Sequence, residues 1–233
     1  MELSIDTTTN ATSIGLSING IVKAEKIWIS EKNQSVELIP HIIDLLESVN
    51  LTTNDLRSIF VLNGPGGFTS VRIGVSVAKS LAFACNIPLV AIPSTLVEAY
   101  PYLETELGKK IFSLIPVGRT RVYGAMYNQS EIIDVEYKVF DFPSSILNSN
   151  QEIIYCGEAV QLLLEQGFLS PDHNVVVTES PTRLLSVISK LGYKRLVEGL
   201  TVDPMSLEPI YLSSAQIESA ERNRIKSNIE GDN

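Results

Sequence analysis

Four consecutive residues near the N-terminus, Asp6, Thr7, Thr8 and Thr9, combine one carboxylate with three hydroxyl groups. They follow the alternating segment MELSID, which predicts a short strand. The backbone amides and hydroxyls of such a turn can hold an anion such as a phosphate. The same side chains can instead satisfy the turn itself, because Asp and Thr readily bond to the nearby backbone. The residues alone leave both interpretations open.

A run of glycines comes later in the chain, in the segment LNGPGGFTSVRIGVSVAKSLAFA. It lacks the Lys and the Ser or Thr of a nucleotide-binding P-loop, so it does not predict a phosphate site. Glycine permits positive φ and close approach of two backbones, and Thr69 or Ser70 can cap the helix that follows. We interpret this run as a structural loop, formed by Gly64, Pro65, Gly66, Gly67, Phe68 and Thr69.

Other catalytic patterns are missing from the sequence. The two histidines, His41 and His173, have no metal-binding spacing, and no GxSxG nucleophile motif is present. The second-half turn IPVGRTRVY carries no acid, and YCGEA offers one glycine where a nucleotide site uses a pair. Cys85 and Cys156 have no CxxC spacing and are expected to be buried thiols. We therefore expect no catalytic residue, no metal and no intrinsic cofactor.

Charge and composition exclude several classes of protein. The chain has 233 residues and a net charge of −9, which disfavours unaided binding to nucleic acid or to an anionic membrane. Hydrophobic residues make up 44%, as in an ordinary globular protein. The N-terminus opens as a strand without a basic n-region, so we expect no leader, and no segment has the ~18 uncharged apolar residues of a membrane span. We expect a cytoplasmic protein with no membrane association.

The alternation of strands and helices predicts an α/β protein with two halves, each in the order βββαβαβα. This order resembles that of the actin/Hsp70/hexokinase-like (ASKHA) superfamily, which has two ribonuclease-H-like halves. The predicted domains are residues 1–108 and residues 109–213. The first domain carries two helices, 35–49 and 70–85, that we expect to bind a partner. Residues 214–233 form a polar tail that we expect to be disordered.

Two predicted helices, 35–49 and 70–85, are more apolar than burial against one sheet face requires. Either the second domain or the helix 94–107 covers the extra apolar surface, or a protein partner does. We expect a partner, with the small residues of helix 70–85 facing it and Ile73, Val77 and Ala84 facing the sheet. The predicted interface residues are Val36, Ile39, Ile43, Leu46, Val71, Gly74, Val75, Ala78 and Ala82.

The segment NGPGGFTSVRIGVSVAKSLAF closely resembles the GPGSFTGLRIG motif of the TsaB (YeaZ) family. The opening LSIDTTTNATSIGL is similar to that family's LAIDTSTxxxSVAL, and IPLVAIPSTLVEA to its next strand and helix. Weaker similarity continues at VYGAMY, YCGEA and EPIYL. The chain departs from the family pattern at Gly67, where Ser is usual, and at Ser70, where Gly is usual.

The resemblance implies a non-catalytic scaffold in the bacterial machinery that installs threonylcarbamoyl on the adenosine next to the anticodon of tRNAs reading codons that start with A. It implies pairing with a catalytic TsaD-like paralogue through the two N-terminal helices, together with a TsaE-like ATPase. It also implies a homodimer through the same helices, tRNA contact only through the complex, and ATP or ADP at the interface. Asp6 and the threonines would then be a vestigial phosphate turn. The alternative is an active ATP-dependent kinase or acyltransferase of the same fold, or a glycoprotease-like peptidase.

Overall fold

The computed structural model describes residues 1–31, 33–106, 108–117, 121–128, 137–141, 153–170, 172–177 and 183–210. The sequence pattern also predicts a short helix near residues 143–148; this helix and the polar tail predicted at 214–233 lie outside these ranges.

The first half of the chain forms a five-stranded sheet in the order β3-β2-β1-β4-β5. The strands are β1 Glu2–Asp6, β2 Ala11–Ile18, β3 Ile21–Ile29, β4 Ser58–Leu62 and β5 Leu89–Ile92. The first three are antiparallel to one another, and β4 and β5 run parallel to β1. Strands β2 and β3 are joined by a tight hairpin turn, in which Asn19 and Gly20 both have positive φ, 51° and 76°.

The second half repeats this arrangement with the order β10-β9-β6-β7-β8. Its strands are β6 Lys110–Val117, β7 Arg121–Tyr127, β8 Tyr137–Asp141, β9 Ile153–Cys156 and β10 Asn174–Val175. When β6 is placed on β1, the two sheets have the same strand order and the same directions. The predicted α/β fold with two ribonuclease-H-like sheets is confirmed.

Within the described ranges, five α-helices separate and cover the sheets: α1 Gln34–Ser48, α2 Phe68–Cys85, α3 Ser94–Thr105, α4 Ala159–Glu165 and α5 Leu185–Val197. Helices α1 and α2 contact the first sheet, and α4 contacts the second. Helix α5 also contacts the first sheet and touches α3, which packs on β6 and β7 of the second. A shared apolar cluster joins α3 and α5 to both sheets, so these helices form a layer between them. Helix α5 extends from Leu185 to Val197, with Leu184 at its N-cap position.

The predicted orientation of α2 is wrong. The residues assigned to the partner-facing side are buried against the first sheet and α1: Val71, Gly74, Val75, Ala78 and Ala82. Ile73 and Val77, assigned to the sheet side, are only partly buried, and Ala84 is exposed. The physical reason is that small side chains let a helix approach its own sheet closely, just as they would let it approach a partner.

Two smaller predictions about the helices are also corrected. Leu46 of α1 is buried in the core of the chain rather than available to a partner. Helix α2 begins after Gly67, and neither Thr69 nor Ser70 provides a side-chain cap.

Among the described residues one helix, α2, is long and apolar enough by length and composition to cross a membrane. Its 18 residues include Arg72 and Lys79. One side of α2 is packed into the apolar core beside β1 and β4. Burial of one side explains its apolar composition.

Candidate functional site

The turn after β1 is held by its own side chains. The Asp6 carboxylate oxygen Oδ1 accepts bonds from the Thr8 backbone N–H at 2.8 Å and the Thr8 hydroxyl at 2.6 Å. The Thr7 hydroxyl donates to the Ser70 carbonyl at 2.6 Å, and Thr9 Oγ1 accepts from the Ala11 N–H at 3.1 Å. The four residues predicted as a vestigial phosphate turn are therefore together, with their polar side chains bonded within the chain.

The glycine loop packs directly on this turn. The Gly67 N–H donates to the Thr8 carbonyl at 2.8 Å, and a Cβ at Gly66 would lie 2.6 Å from that oxygen. A Cβ at Gly74, in the first turns of α2, would clash with the Thr7 hydroxyl. The glycines allow two backbone segments to touch, because any side chain would separate them. The backbone of the glycine loop therefore packs against the backbone of the turn after β1.

Arg183 lies at the junction of the two sheets and contacts three carboxylates. Its Nη1 lies 2.8 Å from Glu98 Oε1, its Nη2 lies 3.0 Å from Glu158 Oε2, and its Nε lies 3.5 Å from Asp6 Oδ2. Arg183, Asp6 and Glu98 are buried, and Glu158 is partly exposed. We call these four residues the junction cluster.

The junction cluster holds more negative than positive charge. Burial alone would lower the pKa of Arg183, but the charges of Asp6, Glu98 and Glu158 raise it above its ordinary value. Three carboxylates and one guanidinium leave a formal charge of −2. A nucleotide phosphate placed beside Asp6 would meet these carboxylates as well as side chains that are already bonded.

Sequence reasoning identified Asp6 but missed Arg183, Glu98 and Glu158. One signal was available, because Glu98 is the only charged residue in the apolar start of the α3 segment STLVEAY. A lone charge on a helix that is otherwise buried requires a partner of opposite sign. Which cation supplies it could not be read from the sequence, because Arg183 is 85 residues away along the chain.

The remaining candidate groups do not assemble a hydrolytic or metal site. The Ser170 hydroxyl and backbone N–H both contact His173 Nδ1, at 2.9 and 3.1 Å. In a Ser-His-Asp triad that nitrogen faces the carboxylate and the serine faces the other one. Among the described residues no group of three or more His, Cys, Asp or Glu is arranged to hold a metal ion.

A stripe of apolar side chains on α1 is exposed. Val36, Ile39 and Ile43 are 70%, 52% and 45% exposed and lie at helical spacing on one side of α1. On α2, Phe68 and Phe83 are also exposed, and Phe68 stacks under the Arg72 guanidinium at 4.2 Å. Helices α1 and α2 lie on the side of the first sheet that faces away from α3 and α5, so neither α3 nor the second sheet covers this surface.

Polar bonds to β3 fix the rotation of α1. Glu37 accepts from the Trp28 indole at 3.0 Å and from the Ser30 hydroxyl at 2.5 Å. The hydrogen bond from Ser30 has the larger effect and that from Trp28 the smaller, and both lower the pKa of Glu37. Lys26 Nζ lies 2.7 Å from His41 Nδ1 on the same side of α1. The apolar stripe therefore points away from β3 and into solvent.

Comparison with known proteins identifies the family. The family model described as TsaD, tRNA N6-adenosine threonylcarbamoyltransferase, matches residues 27–182, which is more than half of the chain. A curated relative, the tRNA threonylcarbamoyladenosine biosynthesis protein TsaB of Bacillus subtilis (strain 168), is 29% identical over 69% of this chain and 72% of its own length. The chain belongs to the TsaB (YeaZ) branch of this family.

Two further comparisons agree with this assignment. TsaB of Escherichia coli (strain K12) is 27% identical over 55% of each chain, so the match spans about half of that relative's length. The solved structure of YeaZ from Pseudomonas aeruginosa superimposes with a TM-score of 0.72 at 20% identity. It covers 91% of this chain and 99% of that one, and it supports the fold. The family and fold predicted from the sequence are confirmed.

Proposed function

We propose that the chain is a non-catalytic, cytoplasmic scaffold subunit of a complex that installs threonylcarbamoyl on the adenosine next to the anticodon of tRNA. The curated relatives carry the name tRNA threonylcarbamoyladenosine biosynthesis protein TsaB, which supports involvement in this pathway. The single observation that carries the scaffold role is the exposed apolar stripe of α1, which comprises Val36, Ile39 and Ile43.

The stripe fits a helical partner of the same fold. Three aliphatic side chains lie on one side of a helix whose rotation is fixed by Glu37 and His41. An apolar helix face of this kind is a docking surface for an apolar face of another helix. A TsaD-like paralogue would offer the equivalent helices, and a second copy of this chain would offer the same stripe. The catalytic paralogue is the proposed partner, a homodimer forms in its absence, and a TsaE-like ATPase joins the complex.

The proposal assigns no chemistry to the chain itself. The side chains of Asp6, Thr7, Thr8 and Thr9 are bonded within the chain, and the junction cluster carries a formal charge of −2. Phosphoryl-transfer enzymes instead present free donors and a metal to the phosphate. We propose that the chain has no cofactor of its own, and that ATP or ADP in the complex lies at the interface with the partner.

Co-purification with the TsaD-like paralogue from the same genome tests the proposal. The double variant Ile39→Glu/Ile43→Glu should fold normally and bind the paralogue at least about 100-fold more weakly, because two carboxylates would be desolvated in the contact. Ile21→Glu is the matched control, since Ile21 is an exposed isoleucine on β3, outside the stripe. The control should bind like the unaltered chain.

Activity measurements decide between a scaffold and an enzyme. The paralogue and the ATPase should modify tRNA only when this chain is added, and the double variant should not support the reaction. The chain alone should not turn over ATP or cleave peptides. Turnover by the isolated chain would favour the kinase, acyltransferase or peptidase alternative, and unaltered binding by the double variant would contradict the interface.

A further inference from the structure

The junction cluster connects four separate segments of the chain. Asp6 ends β1, Glu98 lies in α3, Glu158 directly precedes α4, and Arg183 lies two residues before α5. Asp6 belongs to the first sheet, and Glu158 follows β9 of the second sheet. Arg183 is thus an ionic connection between the two sheets, placed at the ends of the two helices that pack between them.

The geometry of the contacts requires an arginine. Three different nitrogens of one guanidinium, Nε, Nη1 and Nη2, each contact a different carboxylate. A guanidinium is planar and its donors have fixed directions, so it holds three acids at fixed angles to one another. A lysine ammonium is a single point charge on a flexible stem and would not fix all three.

Burial makes the arrangement sensitive to the loss of any member. Asp6 and Glu98 are buried, and removing Arg183 would take a buried cation away from both carboxylates. Loss of one partner from a buried ion pair is strongly destabilising, whereas an intact pair adds little net stability. The cluster therefore favours one relative position of the sheets more than it adds to the overall free energy of folding.

We propose that Arg183 is an internal lock that holds the two sheets in one relative position, and that its removal lets the junction open around α3 and β9. This function is independent of the partner surface on α1, because the cluster lies entirely within one chain and on the opposite side of the first sheet.

The reactivity of the Cys156 thiol can be used to measure this opening. It is the last residue of β9, its side chain is buried, and its Sγ lies 3.6 Å from the Glu98 carbonyl. A thiol reagent can reach it only when α3 separates from β9. The second cysteine, Cys85, lies at the end of α2 and is removed by Cys85→Ser so that one thiol remains.

The test compares two cations, Arg183 just before α5 and Lys190 within α5, each of which contacts a glutamate of α3. In the Cys85→Ser background, Arg183→Met should raise the labelling rate of Cys156 by about 100-fold, the size expected for loss of one partner from a buried ion pair. Lys190→Met is the matched control, because Lys190 contacts Glu104 of α3 at 2.7 Å at an exposed site. An exposed pair contributes little, so its rate should change by less than about threefold.

A second variant separates local opening from general unfolding. Arg183→Ala leaves a gap that a free guanidinium ion fits, so millimolar guanidinium should slow Cys156 labelling in this variant and leave the unaltered chain unchanged. Circular dichroism should show that both variants keep their helices and strands. The lock is refuted if Arg183→Met labels at the rate of the control. It is equally refuted if both variants are unfolded and guanidinium does not restore them.

Discussion

Both carboxylate oxygens of Asp6 are engaged within the chain, one by Thr8 and the other by Arg183. An anion-binding turn must leave its donors free, and here Thr7 and Thr8 donate to the chain's own oxygens. The sequence placed Asp6 and the threonines correctly in one turn, because an Asp-Thr run after a strand is a local pattern. It could not show that the turn is internally bonded, because the groups involved come from α2 and from the segment before α5.

At the scale of single residues, the corrected orientation of α2 reverses the expected effect of a charge at Ala78. Ala78 is 0% exposed within the apolar core, so Ala78→Glu should destabilise the chain by more than about 3 kcal/mol. Ala84→Glu, on the exposed side of the same helix, should change stability by less than about 0.5 kcal/mol. Urea unfolding of both variants measures the difference. Similar stability of the two would mean that α2 does not bury this face.

Tyr100 provides a pH-dependent test of the packing between α3 and α5. Burial, and after it the charge of Glu104, raises the pKa of Tyr100 from its ordinary 10.0 to about 12. The folded state therefore keeps a proton that the unfolded state loses, and this contribution is present below pH 10 and lost as the pH rises to about 12. Tyr100→Phe should release one proton fewer on unfolding in that interval.

Measuring unfolding midpoints between pH 10 and 12 for both proteins checks the sign. The variant should lose stability less steeply, and the remaining slope should come from other tyrosines, since burial also raises the pKa values of Tyr102 and Tyr155. Equal slopes would show that Tyr100 ionises freely in the folded chain.

Among the secondary-structure elements, α1 and α2 show what periodicity can and cannot decide. Both helices were predicted nearly at their observed bounds, because each has a long apolar repeat between polar segments. For α1 the exposed positions Val36, Ile39 and Ile43 agree with the prediction of surface apolar residues. For α2 the small residues were assigned to the wrong side, because close packing against a sheet and against a partner require the same residue types. Only the position of the sheet distinguishes the two.

Lys79 connects α2 to the segment that follows α5. Its Nζ donates to the Leu207 carbonyl at 2.8 Å and lies 3.4 Å from the Met205 carbonyl. Lys79→Met keeps the apolar stem and removes both bonds, so hydrogen exchange of the amides around Leu207 should become about 10-fold faster. Lys23→Met removes an exposed lysine on β3, at the opposite edge of the first sheet from β5, and should leave this exchange unchanged. An unaltered rate in Lys79→Met would show that other contacts hold the segment.

For the whole molecule, the order of layers explains why one apolar surface stays open. Helices α3 and α5 fill the space between the two sheets, and α4 covers the far face of the second sheet. Helices α1 and α2 cover the outer face of the first sheet and have no further layer over them among the described residues. The repeated order of strands and helices along the chain could be read from the sequence because it follows from local patterns. The layer order could not, because it depends on contacts between distant segments.

The charge of the whole chain predicts how the complex meets tRNA. The chain has 18 Lys and Arg against 27 Asp and Glu, so it has few cations to neutralise phosphates and should not bind tRNA alone at physiological salt. Affinity for a nucleic acid falls with salt in proportion to the number of phosphates that the protein neutralises. The affinity of the complex for tRNA should therefore fall with salt no more steeply than the affinity of the TsaD-like partner alone. This should hold even where the complex binds tRNA more tightly than the partner does. Filter binding over a series of salt concentrations measures both slopes. A steeper slope for the complex would mean that basic residues of this chain contact the tRNA directly, and its role would then extend beyond that of a scaffold.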